Sequence, residues 1–186
     1  MQFSLRHTIL ILSFLAIIFS FLFFGREQTR YVNWLLWGFL IASISYLFIL
    51  FKDKAKSKLI WTGTIIGAII LQQLSESFLI KKSYRILLAQ QHAILDSINR
   101  IMISKAGNDY FILKSENAKK EEFTKEELEL INTLFANSSI YLIRKDSSSI
   151  YYGTFGMLDV SNGITYFFKP DKVNEHYNNL KDQWYY

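Results

Sequence analysis

The sequence predicts a membrane protein in two parts: an all-α N-terminal bundle of three transmembrane helices, then a small C-terminal α+β domain with an antiparallel sheet. Three observations predict it. Three apolar runs, each long enough to cross a bilayer, lie within the first eighty residues. Charge divides sharply along the chain: residues 1–103 hold eleven Lys and Arg against four acids (net +7), whereas residues 104–186 hold ten against twelve (net −2). Beyond residue 104 the apolar runs shorten and alternate with turn residues, the pattern of strands and short helices. The expected divisions are a transmembrane domain at 1–80, an amphipathic linking helix or stalk at 81–104, and a soluble α+β domain at 105–186.

The first run, Ile9 to Phe24, has no charge and only Ser13 and Ser20 as polar residues. With Leu5 it reaches about 20 residues, enough for a hydrocarbon core of roughly 30 Å. Its end, Phe21-Leu22-Phe23-Phe24-Gly25-Arg26, is bulky and lacks the small-residue cleavage pattern of a signal peptide, so it is read as retained. Tyr31 to Phe51 is uncharged throughout and places Tyr31, Trp34 and Trp37 near one end, where amphipathic rings favour the interface. The third run, Leu59 to Ile80, carries Gly63 and Gly67 four apart, a spacing that lets helices approach closely.

Gln72, Gln73 and Glu76 interrupt this third run. Either the span ends near Leu74 and the polar residues meet water or headgroups, or they line a polar pathway inside the membrane. The connections, Gly25–Arg30 and Lys52–Lys58, are short enough to force antiparallel neighbours. Orientation is balanced: Arg6, Lys52, Lys54, Lys56 and Lys58 flank one side, and Arg26, Arg30, Lys81, Lys82 and Arg85 the other. The expected location is the cell membrane, multi-pass, with the side of the C-terminal domain left open.

From Tyr84 to Ile103 there is no helix breaker, and Leu87, Ile94 and Ile101 recur every seven residues beside Leu88, Leu95 and Met102. This predicts a two-stripe helix continuing the third span, roughly 65 Å long from Leu59 at 1.5 Å per residue. Its stripes pack either on the chain's own soluble domain or on a second protomer. Tyr110 to Leu113 reads as a short strand, and Thr124 with Glu127 makes a capping box opening a helix with Leu128, Ile131, Leu134 and Phe135 on one face. Ser139 to Arg144, Ile150 to Leu158 and Ile164 to Phe168 form a predicted three-stranded meander, with Asn162-Gly163 as its second turn. Pro170 and Asp171 are expected to open a last helix with Val173, Tyr177, Leu180 and Trp184 on one face.

The chain has no cysteine, which excludes disulfide scaffolds, thiolate metal sites and cysteine nucleophiles. His7, His92 and His176 lie far apart with no metal-ligand spacing, so neither a metal nor a cofactor is expected. Gly153-Thr154-Phe155-Gly156 lacks the Lys-Ser/Thr of a phosphate loop and reads as a strand bulge. Ser147, Ser148 and Ser149 are turn residues with no glycine elbow or histidine beside them. No catalytic residues are therefore expected. The basic residues flank apolar runs, which points to headgroups and away from DNA.

What the soluble domain does carry is a sheet rich in tyrosine with cations near strand ends. The candidate ligand-binding residues are Lys114, Arg144, Lys145, Tyr151 and Tyr152: rings that stack on bases, and cations that meet phosphates. In organisation the chain resembles membrane effectors of bacterial antiviral defence, in which a few spans carry a small cytosolic domain that binds a cyclic nucleotide messenger. The resemblance implies a homo-oligomeric sensor that couples a nucleotide messenger through the stalk to the bundle, with the C-terminal domain cytoplasmic. The alternatives are a membrane-anchored immunity or partner-binding protein, or an extracytoplasmic sensor, neither of which needs gating.

Overall fold

The computed structural model describes residues 5–105, 107, 110–114, 123–157, 160–173 and 175–186. The chain separates into two compact units, one of Met1–Phe24 with Thr29–Ile80 and one of Gly25–Gln28 with Lys81–Tyr186.

In the first unit, α1 (Leu5–Ser20) runs into a 3-10 turn at Phe21–Phe23, followed by α2 (Gln28–Lys52) and the first half of α3 (Ala55–Ser104). All three helices are long and apolar enough to cross a membrane. Leu10, Ala42, Ile49 and Trp61 form the core, with Phe14, Tyr46 and Ile65 packed against it. Gly38 brings α2 close to α1, because a Cβ there would stand 2.6 Å from Ile17 Cγ1. The hydroxyls of Ser13 and Ser20 donate to the carbonyls of Ile9 (2.8 Å) and Ile17 (2.6 Å), so these polar groups are satisfied within the helix. Outward-facing side chains are large and apolar, with Leu36 61 %, Trp37 62 % and Leu74 76 % exposed, a surface suited to lipid and costly in water. A Cβ at Gly63 or Gly67 would meet nothing within 4 Å, so this side of α3 is open.

The second unit is built on the other half of α3, which is one continuous helix of 50 residues through Ser104. It also holds β1 (Tyr110–Leu113), α4 (Lys125–Asn137), β2 (Leu142–Lys145), β3 (Ser149–Met157), β4 (Val160–Phe167), β5 (Asn179–Lys181) and β6 (Trp184–Tyr185). The strands make one antiparallel sheet in the order β1-β2-β3-β4-β6-β5. One stalk stripe, Leu88, Leu95 and Met102, is buried in this unit's core with Ile98, whereas of the other only Leu87 is buried and Ile94 and Ile101 are half-buried. Each of the buried side chains contributes about 2 kcal/mol by leaving water. α4 opens with the expected capping box, Thr124 Oγ1 accepting from Glu127 N at 3.2 Å and Thr124 N donating to the Glu127 carboxylate at 2.8 Å.

Three expectations are corrected. The meander grows to six strands, because β1 adds beside β2 and β5–β6 add beside β4. Asn162-Gly163 is not the hairpin turn: both lie within β4, paired with Phe155 and Gly153, and Gly163 lacks the positive φ that a type I′ turn requires. The chain reverses between Met157 and Val160, and the two intervening residues, Leu158 of the predicted strand and Asp159, lie outside the described residues. The last helix is absent among the described residues. Pro170–Lys172 makes a single 3-10 turn, and Asp182, at φ 50°, turns β5 into β6. His176, Asn178 and Asn179 are weak helix formers, whereas Trp184 gains a strand pairing with Tyr166. Leu180 and Trp184 are buried, so strand alternation meets the pattern that had suggested a helix face. The bulge expected at Gly153–Gly156 is present as a register shift between Gly153 and Phe155.

Candidate functional site on the open sheet face

Period-two alternation gives the sheet two faces of different character. The covered face carries Ile112, Ile143, Ile150, Tyr152, Ile164 and Trp184, all buried. Here Tyr152 Oη donates to Asn99 Oδ1 on α3 at 2.7 Å, and the Tyr84 and Thr154 hydroxyls stand 3.4 Å apart. Tyr110, which belongs to the same face, meets Phe123 edge-on at 6.2 Å just before α4.

The opposite face is open on its β1–β2 side, where Phe111 and Arg144 are exposed, and closes towards β3 and β4, where Leu142, Thr165 and the Tyr151 hydroxyl are buried. Its central row follows from the register alone: Phe111 pairs with Arg144, Arg144 with Tyr151, Tyr151 with Thr165 and Thr165 with Tyr185. Phe111 is 58 % exposed, Arg144 is exposed, Tyr151 and Tyr185 are half-buried and Thr165 is buried. The Tyr151 ring lies across two glycines: added Cβ atoms at Gly153 and Gly163 would stand 3.3 and 2.9 Å from its ring carbons. Glycine on these strands thus makes the shallow seat in which the ring rests. Beyond Tyr185 the face closes into an aromatic cluster, with Phe167 meeting Tyr185 and Tyr177 edge-on at 5.4 and 5.0 Å.

The candidate ligand residues divide between these faces. Arg144 and Tyr151 are cross-strand neighbours on the open side. Tyr152 and Lys145 point to the covered side. Lys145 Nζ donates to the Lys105 carbonyl at 2.8 Å and sits 5.5 Å from the Tyr110 ring centre, and its burial pushes the ammonium pKa down. The Lys114 ammonium donates to the Phe135 carbonyl at the end of β1. Gln72, Gln73 and Glu76 lie on α3, Gln73 exposed and the other two half-buried, with Ser75 Oγ donating to the Gln72 carbonyl at 3.1 Å. Phe111 and Tyr185 join the open row without having been singled out in the sequence, although alternation in Tyr110-Phe111-Ile112 does aim Phe111 away from its neighbours.

The Ser147–Ser149 turn is organised by Asp146. Its Oδ1 accepts from Ser148 N (2.7 Å) and Ser149 N (2.6 Å), and its Oδ2 from Ser149 Oγ (2.8 Å). Burial alone would raise this carboxyl's pKa, but the donors outweigh it and hold it below the ordinary value.

A second polar cluster, in the first unit, joins residues distant in sequence. The Asp53 carboxylate meets the Arg6 guanidinium, His7 Nε2 (3.0 Å) and Ser57 Oγ (2.7 Å), and the His7 ring stacks on Trp61 at 4.5 Å. The Ser57 hydrogen bond lowers the Asp53 pKa against the opposing effect of desolvation, helped by the His7 hydrogen bond and the Arg6 charge. Among the described residues no group of three or more His, Asp or Glu is placed to hold a metal ion. Comparisons with protein-family models, with curated proteins and with solved structures return no match to this chain.

Proposed function

We propose that this protein is a membrane-anchored sensor whose C-terminal unit binds a planar, anionic signal on its open sheet face, a nucleotide messenger being the ligand class that best suits the row. The observation that carries it is the pairing of exposed Arg144 with Tyr151 on a surface flanked by Phe111 and Tyr185. An aromatic seat and a guanidinium supply base stacking and phosphate contact, and the messenger reading places this unit in the cytoplasm. The three apolar helices support residence in a membrane, and α3 runs unbroken from Ala55 to Ser104 through both units. The open side of α3 at Gly63 and Gly67 gives room for a second copy of the chain.

Titration of the detergent-solubilised full chain with cyclic mononucleotides and dinucleotides tests this reading. Saturable binding should weaken at least fivefold in Arg144→Gln and in Tyr151→Leu, since one stacked base contributes about 1–3 kcal/mol. Binding indifferent to both substitutions, or none at all, contradicts it.

A second reading is an immunity or partner-binding protein. It is favoured by β1, an edge strand of four residues whose Phe111 is 58 % exposed, a template for strand addition by another protein. Phe111→Lys would then abolish capture of a protein partner, and the unsubstituted chain would show no saturable nucleotide binding.

A further inference from the structure

The first unit has a continuous groove between α1 and α2. One section, of about 500 Å³, is lined by Ile9, Ile41, Ile44 and Phe48 with Arg6 and Lys52 at its end. The next section, of about 550 Å³, shares Ile9 and Ile41 and runs on past Trp37 to Trp34 and Asn33. At Gly38 α2 lies against Ile17 and the Ser13 carbonyl of α1, and the groove opens beside that contact. From Lys52 to Ile41 the distance along α2 is about 16 Å at 1.5 Å per residue, one leaflet of a hydrocarbon core roughly 30 Å thick.

We propose that this groove is a binding site for an anionic phospholipid, its phosphate held at the Arg6 and Lys52 end and an acyl chain lying along Ile9, Ile41 and Phe48. Charge and depth together choose the occupant. Both cations stand at the interfacial end and the leaflet-deep section beyond them is apolar, the division a phospholipid itself has. Lys54, Lys56 and Lys58 follow in the same connection, and Asp53, already engaged by Arg6, His7 and Ser57, is its one acid. Arg6 keeps a third of its side chain exposed while paired to Asp53. A guanidinium has five donors, so the ion pair leaves others for a phosphate. A zwitterionic lipid offers the same tails and gains less from this end.

The proposal rests on the helices lying in a bilayer, and its test separates the two. The full chain, purified in detergent, is titrated with phosphatidylglycerol or phosphatidylcholine of equal chain length, and bound lipid is counted by native mass spectrometry. One phosphatidylglycerol per chain should bind in preference to phosphatidylcholine. Lys52→Gln should weaken phosphatidylglycerol about fivefold, the value of one cation at an anionic surface. Ile41→Trp, which fills the groove and leaves every charge in place, should displace the lipid. Equal binding of both lipids, or phosphatidylglycerol binding that survives Ile41→Trp, overturns the site. A chain that still requires detergent for extraction keeps its spans in either case.

Discussion

Tyr152 Oη donates to Asn99 Oδ1 at 2.7 Å, joining the centre of the sheet to the long helix through two buried side chains. Burial pushes the Tyr152 pKa well above the ordinary phenol value, so the hydroxyl stays a donor at every physiological pH. The Asn99 Nδ2 has no hydrogen-bond partner among the described residues, which makes the Tyr152 bond the main compensation for burying this amide. Tyr152→Phe should destabilise the C-terminal unit by about 1–3 kcal/mol. Adding Asn99→Leu should recover part of that loss, because the stranded amide goes with it. Thermal unfolding of the single and double variants measures both.

The seat beneath Tyr151 predicts a backbone effect. A Cβ at Gly163 would clash with the β3 backbone, standing 2.9 Å from the Tyr152 carbonyl carbon and as close to the Tyr151 ring. Gly163→Ala should therefore destabilise the unit by roughly 1–3 kcal/mol, against the small gain expected when alanine replaces glycine at an open strand position. Gly63→Ala, on the open side of α3 where an added Cβ meets nothing, should cost no stability and raise it slightly through helix propensity.

Acid should weaken the C-terminal unit with a defined sign. The Glu127 pKa is lowered, first by its 2.7 Å bond from Lys105 Nζ and then by Thr124 N. A carboxylate whose folded pKa lies below its unfolded value contributes stability that is complete above the ordinary value near 4.5 and is lost as pH falls through the folded pKa. Asp146, also lowered, acts in the same direction. Glu127→Gln should flatten the acid side of the stability profile, and urea midpoints measured between neutral pH and pH 3 would show it.

Assembly is tested on the open side of α3. Gly63→Leu with Gly67→Leu should reduce cross-linked oligomers in membranes severalfold without changing the unfolding of the monomer, since neither added side chain meets a neighbour within its own chain. Unchanged cross-linking would remove this surface from the assembly.

The apolar helices and the long continuation of α3 were legible in the sequence because charge-free runs and a seven-residue repeat are local signals. Thr124 and Glu127 announced α4 for the same reason, three residues apart. The C-terminal strands were not: Leu180 and Trp184 satisfy a helical face and a strand face alike, and the strand wins through pairing with Tyr166, a contact that spacing cannot show. Asn162-Gly163 looked like a turn, yet glycine is needed there for the close approach of Tyr151. For the candidate site, residue type was readable and facing was not. Adjacent Arg144-Lys145 and Tyr151-Tyr152 must point to opposite faces in a strand, and which member of each pair faces out depended on where α3 lay. The Arg6, His7 and Asp53 cluster joins residues 46 apart or more and left no local trace.

The membrane-spanning anatomy beneath every functional proposal is tested most directly by cysteine labelling, because the chain has no cysteine of its own. Single cysteines at Lys54, Leu40 and Ser147 would be exposed to a membrane-impermeant maleimide in intact cells and again after lysis. Three spans predict that Leu40→Cys stays shielded throughout and that, of Lys54→Cys and Ser147→Cys, one labels in intact cells and the other only after lysis; the messenger reading further requires Lys54→Cys to be the one that labels from outside. Labelling of Lys54→Cys and Ser147→Cys from the same side, or ready labelling of Leu40→Cys, would contradict it.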